Sequence, residues 1–285
     1  MIKFFPLIFI LLWSSAFITT KPIVDNSDPF SALFFRFIIV AIGFYLFSIY
    51  KKQKIILPKK DILSSLTIGV LFHGLYLGGV FYSISIGLPT GIAALIVTLQ
   101  PILTNALAGP ILNEDITKKK WIGVILGFTG ASLVIGLDIG KTLPLIGIFA
   151  ALIALISVTL ATLWQKKISN NLSLLASNTF QAIGGSLFHL LVIAIFIQKP
   201  FINFTQTFVF AISHQIFLVS FGAFSILMFM IKKNSASKTI SLFFLIPPTS
   251  AIMAYFFLNE KLNLLDIVGF IVASVGVYIS TREKN

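Results

Sequence analysis

Charged residues in this chain fall in short clusters, separated by stretches that carry no charge at all: 4–20, 37–50, 62–113, 121–137, 142–165, 168–198, 200–231, 239–259 and 267–281. A helix needs about 20 apolar residues to cross the hydrocarbon of a bilayer. The run 62–113 is long enough for two crossings, with Gly87-Leu88-Pro89-Thr90-Gly91 as the natural break. Arg36 interrupts 29–50 without ending it. The pattern predicts an all-α membrane protein with ten spans, at 4–21, 30–50, 62–86, 91–111, 121–137, 144–165, 172–197, 207–231, 239–258 and 263–281. The first stretch, behind Lys3, has the outline of a signal peptide, but nine similar segments follow it, which favours a retained first span.

Composition agrees. The chain is 57% apolar and 11% charged, with a mean hydropathy of +1.01. A soluble domain carries about 25% charged residues, so this chain cannot cover a globule with polar surface. The absence of Cys removes disulfides, thiolate metal sites and Cys nucleophiles. A net charge of +12 would point to nucleic acid in a soluble protein. Here the cations instead report orientation. One set of alternate loops and termini holds sixteen: Lys3; Lys51, Lys52, Lys54, Lys59 and Lys60; Lys118, Lys119 and Lys120; Lys166 and Lys167; Lys232, Lys233 and Lys238; Arg282 and Lys284. The other set holds only Lys21, Lys141, Lys199 and Lys261. The positive-inside rule places the sixteen in the cytoplasm. The expectation is an inner (plasma) membrane protein with both termini inside, whose partners are the lipid bilayer and a small-molecule substrate, with no nucleic acid.

A duplication runs at a constant offset of 146 residues. Leu112-Asn113-Glu114 recurs as Leu258-Asn259-Glu260, Gly123 as Gly269, Gly130 as Gly276, Pro101 as Pro247 and Lys21 as Lys167. The expected units are 1–137 and 143–285, each of five helices. Five is odd, so the second unit enters the membrane inverted, with Glu114 on the cytoplasmic side and Glu260 outside. Inverted repeats are a common architecture of secondary transporters, with the binding site at the repeat interface near the midplane; the alternative is a symmetric scaffold such as a dual-topology channel. The four paired glycines suit close helix packing. Gly78-Gly79, Gly87 and Pro89 suit bending at an outer gate.

Each half thus ends in an apolar helix with a Pro, then Leu-Asn-Glu, a polar stretch, and a helix with glycines seven residues apart. The first helix carries Trp13-Ser14-Ser15-Ala16-Phe17 and Lys21, the second Arg36-Phe37. The fourth carries Gly91-Ile92-Ala93-Ala94-Leu95 and Leu99-Gln100-Pro101. Together these resemble the EamA family of the drug/metabolite transporter superfamily, over essentially the whole chain. The resemblance implies a ten-helix inner-membrane carrier of small metabolites, often an exporter of amino acids and related compounds. It also implies a central cavity lined by the first four helices of each repeat, with the fifth pair at the periphery. The second half departs from the first: Thr159 and Leu160 stand where the first has Trp13 and Ser14.

Polar groups inside hydrocarbon are costly and are functional candidates. The third helix offers His73 and Tyr76 on one face, with Tyr82 about 40° round from Tyr76. The fourth offers Gln100 and Asn105 around Pro101, with Thr98 discounted as a self-satisfied hydroxyl. The seventh offers Asn178, Gln181 and His189; Trp13 and Ser14 lie on the first helix and Trp164 on the sixth. The expected cavity has aromatics that stack on or exclude substrate and amides that orient it. Each side chain also has a structural reading: Trp164 beside Lys166 and Lys167 fits a headgroup belt, and His73 or His189 fits a bridge between helices. Arg36 either snorkels to the surface or draws an anionic group towards the pathway.

All nine acids (Asp25, Asp28, Asp61, Glu114, Asp115, Asp138, Glu260, Asp266 and Glu283) lie outside the deep parts of the spans. Proton coupling, which commonly uses buried Asp, Glu or His, would therefore fall to His73 or His189, and a facilitator or exchanger is favoured. Gly136-Leu137-Asp138-Ile139-Gly140-Lys141-Thr142 imitates a phosphate-binding loop, but has three residues between its glycines instead of four and lies outside the cell. No His-Glu-x-x-His or metal-binding constellation is present, so neither an enzyme, a cofactor nor a metal is expected. Within transport, a nucleoside-like metabolite such as S-adenosylmethionine, or a drug-like amphiphile, remains an alternative to an amino acid.

Overall fold

The computed structural model describes residues 4–53, 57–104, 107, 118–136, 143–168, 173–233, 243, 245–261 and 263–281. Among them there is no strand, only helices and one isolated antiparallel bridge, Ser27 with Ile202. The helical segments are α1 (Phe5–Val24), α2 (Pro29–Tyr50), α3 (Lys59–Ser85), α4 (Thr90–Thr104), α5 (Lys118–Gly136), α6 (Leu145–Ile168), α7 (Leu174–Phe196), α8 (Gln206–Ser213, continuing through Phe224–Lys233), α9 (Ile246–Leu258) and α10 (Leu264–Thr281). Six of these, α1, α2, α3, α6, α7 and α8, are long and apolar enough to cross a membrane. Large apolar side chains also cover their exteriors, among them Leu7, Leu46, Phe149, Leu191 and Phe217. Such an outside is stable only against lipid, so this is a multi-pass membrane protein.

The predicted breaks have local causes. Gly87 sits at φ +96°, where a side chain would be strained, and ends α3 two residues before Pro89. Pro101 has no N–H for its helix, and the turn before it tightens: Leu99 N–H donates to Ile96 O at 3.2 Å and Ile102 N–H to Leu99 O at 3.0 Å. α3 and α8 each contain a π-helical stretch, Val70–Tyr76 and His214–Ala223.

The bundle is organised by pairs. α2 and α7 run antiparallel and are tied at both ends. At one end Asp28 N–H donates to Phe201 O (3.1 Å), Asn203 N–H to Asn26 O (2.8 Å) and Thr205 Oγ1 to Asn26 Oδ1 (3.0 Å). At the other, Ser173 Oγ donates to Gln53 Oε1 (2.6 Å). α1 packs on α8 and α9, and α6 packs on α3 and α4. α5 and α10 pack mainly on each other.

Small residues set the approach distances. A Cβ on Gly69 would lie 2.1 Å from Gln181 O, and one on Gly184 2.3 Å from Leu66 O, so α3 and α7 cross backbone to backbone. On the α5–α10 seam the contacts are reciprocal. A Cβ on Gly130 would meet Ala273 N at 2.4 Å and Gly269 O at 2.5 Å; one on Gly276 would meet Gly127 N at 2.5 Å and Gly123 O at 2.8 Å.

The Leu-Asn-Glu motif is a cap. Asn259 takes the left-handed conformation (φ 53°) that ends α9. Glu260 then turns to the N-terminus of α4, where Thr90 N–H (2.9 Å) and Oγ1 (2.7 Å) donate to its Oε1 and Gly91 N–H (3.3 Å) to its Oε2. A carboxylate there meets both unpaired N–H groups and the positive end of the helix. The first copy, Leu112-Asn113-Glu114, lies outside the described residues.

Replacing Gly130 or Gly276 with Leu is expected to cost about 1–3 kcal/mol by forcing the seam apart, seen as a lowered Tm of the detergent-purified protein. Gly222→Ala, whose Cβ would have its nearest neighbours at 3.6 Å, should leave Tm within error.

Candidate functional site

Four helices enclose a cavity with about 580 Å³ of empty space, counting its open mouth. Each contributes one face at helical spacing: Trp13, Ala16, Phe17 and Thr20 from α1; Arg36, Val40 and Phe44 from α2; Phe72, His73, Tyr76, Leu77, Val80 and Phe81 from α3; Gln215, Val219, Ser220 and Phe224 from α8. The resemblance implied walls from the first four helices of both repeats. The walls here are less symmetric: among the described residues, only α8 contributes from the second half.

Three of the side chains expected from sequence meet here. Trp13 is wedged among Phe9, Phe72 and Phe243, with ring centroids at 5.1, 6.5 and 5.9 Å. Tyr76 meets Phe72 edge-on at 5.4 Å. His73 lies between Phe37 (4.5 Å) and Phe224 (5.5 Å), and its Nδ1 is buried without a hydrogen-bond partner.

The other expected residues sit elsewhere. His189 stands behind the wall: its Nε2–H donates to the His73 carbonyl at 3.0 Å, bridging α7 to α3. Gln100 donates to Thr162 Oγ1 (2.7 Å), joining α4 to α6. Gln181 donates to Gln165 Oε1 (2.8 Å) and Ser177 Oγ (3.0 Å). These amides bridge helices because hydrocarbon offers them no water, and a neighbouring helix is the nearest partner. Ser14 and Asn178 are buried off the cavity, the Oγ of one and the Oδ1 of the other unpartnered. Tyr82 packs on Phe30 at 6.2 Å, on another face of α3. Trp164 is 40% exposed at the outside of α6, which suits the headgroup belt better than a cavity wall. Asn105 lies outside the described residues.

Two groups carry more of the site than the sequence reading gave them. Arg36 does not snorkel: it is 3% exposed, and its Nε and Nη2 donate to Ser220 Oγ at 3.1 and 2.9 Å. Its guanidinium lies 5.2 Å from the Phe37 ring centroid, and Nη1 is buried without a hydrogen-bond partner. Ser220 Oγ donates in turn to Gln215 O at 3.0 Å. The Gln215 amide donates to Ala16 O (2.7 Å), Thr19 Oγ1 (3.0 Å) and Thr20 Oγ1 (3.3 Å), stapling α8 to α1. Gln215 and Ser220 are five apart, about 140° round a regular α-helix, so a search by α-helical face does not join them. The π stretch does. Among the described residues no acid lines the cavity, and no group of three His, Cys, Asp or Glu could hold a metal.

Comparison with known proteins gives a consistent picture. The model described as "EamA-like transporter family" matches residues 2–136 and again 145–282. The "Uncharacterized transporter YvbV" of Bacillus subtilis (strain 168) is 29% identical over 227 residues, which are 78% of this chain and 72% of that protein. The "Probable amino-acid metabolite efflux pump" of Salmonella typhimurium (strain LT2) is 22% identical, over 97% of this chain and 93% of its own. A solved crystal structure superposes with a TM-score of 0.71 at 14% identity, over 98% of this chain and 95% of the other, which shows a common fold.

Ser220→Ala removes both hydrogen bonds that hold the buried guanidinium and is expected to destabilise the protein by about 1.5–3 kcal/mol, read from Tm in detergent. Gln100→Leu, which breaks one neutral bridge, should cost only about 1 kcal/mol.

Proposed function

The chain belongs to the EamA-like transporter family, and on that premise we propose that it is a secondary carrier of amino acids or related compounds, working by alternating access through the aromatic cavity between α1, α2, α3 and α8. In this reading all ten helices cross the membrane, the units 1–137 and 143–285 are inverted repeats, and both termini lie in the cytoplasm. The inner (plasma) membrane is its place in the cell.

The observation that carries the reading is reciprocity at the 146-residue offset. The contact of Gly130 with Gly269 and Ala273 has its image in that of Gly276 with Gly123 and Gly127. The pairing of Ser27 with Ile202 at one end of α2 and α7 is matched within a few residues by that of Gln53 with Ser173 at the other end. The π stretch Val70–Tyr76, moved by the offset, falls inside His214–Ala223. Mutual contacts of this kind are the mark of two-fold related units. Their occurrence at opposite ends of one bundle is what inversion requires. The family model matching each half once supports the same division.

Trp13, Tyr76 and His73 would form the apolar and aromatic wall against which substrate slides, with Arg36 and Gln215 as its polar fixed points. No described acid lines the cavity, which supports exchange or facilitated movement over proton coupling through a carboxylate. The amino-acid cargo is supported by the likeness to the Salmonella protein named as a probable amino-acid metabolite efflux pump.

Counterflow in proteoliposomes tests this, against a panel of amino acids, nucleosides and S-adenosylmethionine, with and without a pH gradient. Exchange of amino acids without the gradient is expected. Exchange only with the gradient would overturn the uncoupled mode and implicate His73. Trp13→Ala should lower the rate tenfold or more with folded protein in the membrane, whereas Gln100→Ala should transport near the wild-type rate; unchanged transport in Trp13→Ala would remove the cavity from the pathway.

A further inference from the structure

We propose that the cargo is anchored by a carboxylate on Arg36, so that the cavity selects monoanionic or zwitterionic organic molecules with an apolar body over neutral or cationic ones. The inference rests on the cavity being the transport site and narrows what that site accepts.

It starts from an unbalanced charge. A guanidinium has five N–H donors and stays ionised. Two nitrogens of Arg36 share the single Ser220 oxygen, and Nη1 has no protein partner. The face of Phe37 compensates only in part. Of the described acids, Asp25 pairs with Lys21, Asp28 accepts from Ser31 N–H, Asp61 lies in the first turn of α3, Glu260 caps α4 and Asp266 accepts from Asn263 N–H; none forms an ion pair with Arg36. A buried cation without a counter-ion is costly, and charged side chains kept inside membrane proteins mark ligand or ion pathways. Arg36 is nine-tenths buried, lines the cavity and keeps donor capacity to spare. That is a built site for an oxyanion, which a guanidinium can grip with two parallel N–H bonds.

The walls choose among oxyanions. One cation balances one negative charge. A phosphate monoester carries close to two and would leave the excess against Trp13, Phe17, Phe44 and Phe72. A carboxylate leaves none. Its apolar remainder fits the same aromatic surface, where offset and edge-on ring contacts are favourable. A nucleoside has no charge for Arg36, and S-adenosylmethionine, though it carries a carboxylate, adds a sulfonium that leaves a net positive charge in a cavity with no described acid.

Calorimetric binding to the purified protein in detergent tests this, with 3-phenylpropanoate and its neutral isostere 3-phenylpropanamide as probes. The wild type should bind the carboxylate at least tenfold more tightly. Arg36→Gln and Arg36→Met should lose that preference while binding the amide within threefold of wild type, which reports an intact cavity. Equal binding of the two probes by the wild type, binding of neither, or a preference that survives both substitutions would each overturn the proposal. Binding of palmitate but not of 3-phenylpropanoate would assign Arg36 to a lipid carboxylate and overturn it as well. The transport reading fails separately: an Arg36-dependent preference without counterflow of any compound leaves the site and removes the carrier, while counterflow of neutral cargo without the preference does the reverse.

Discussion

Hydrocarbon supplies no water to complete a hydrogen bond, and most of this structure follows from that constraint. Helices satisfy their own backbones. Serine and threonine hydroxyls fold back onto the carbonyl one turn earlier, as in Thr20 to Ala16, Ser48 to Phe44, Thr159 to Leu155 and Thr179 to Leu175. Longer polar side chains reach sideways, Gln100 to Thr162 and Gln181 to Gln165. Against this near-complete pairing the exceptions are informative. Arg36 Nη1 and His73 Nδ1 are buried without partners, and both belong to residues that line the cavity. Polar atoms left unsatisfied in apolar surroundings are costly; of the eight such side chains among the described residues, these two line the space a substrate would enter, while Ser14, Ser31, Thr104, Asn178, His189 and Ser274 do not.

Packing between helices obeys a second rule of the bilayer. Apolar burial alone gives no advantage over lipid, so association depends on close backbone approach and on specific polar ties. Gly69 and Gly184 let α3 and α7 cross closely, and the glycines of α5 and α10 do the same for that pair. Glu260 adds a tie of a different kind, a carboxylate from one half capping a helix of the other.

Much of this was legible in the sequence. The apolar runs located α1, α2, α3, α6 and α7 closely, and Gly87 and Pro89 marked the turn into α4. The recurrence of Leu-Asn-Glu was legible as a repeat. Its purpose was not, because a cap joins residues 170 apart in sequence. Within the site, Trp13, His73 and Tyr76 were legible because α1 is a regular helix and the other two lie three apart. Gln215 and Ser220 were not, since only the π stretch of α8 turns them to one side. Gln100, Gln181 and Trp164 show the limit of polarity as a guide: it marks which side chains need a partner, but not whether that partner is a helix, a headgroup or a substrate.

The glycine seam has a consequence for the order in which the molecule is made. α5 emerges early, but the helix that fits its glycine face, α10, is the last described element of the chain. The residues that meet there are separated by roughly one repeat length, about 7–30 s of synthesis at ordinary elongation rates of 5–20 residues per second. Throughout that interval the glycine face of α5 is without the helix it fits, and the N-terminus of α4 waits for Glu260 from the same later segment. The first half therefore cannot complete its own packing before α10 has been made. The step that seals this seam waits for the synthesis of α10, not of the first half.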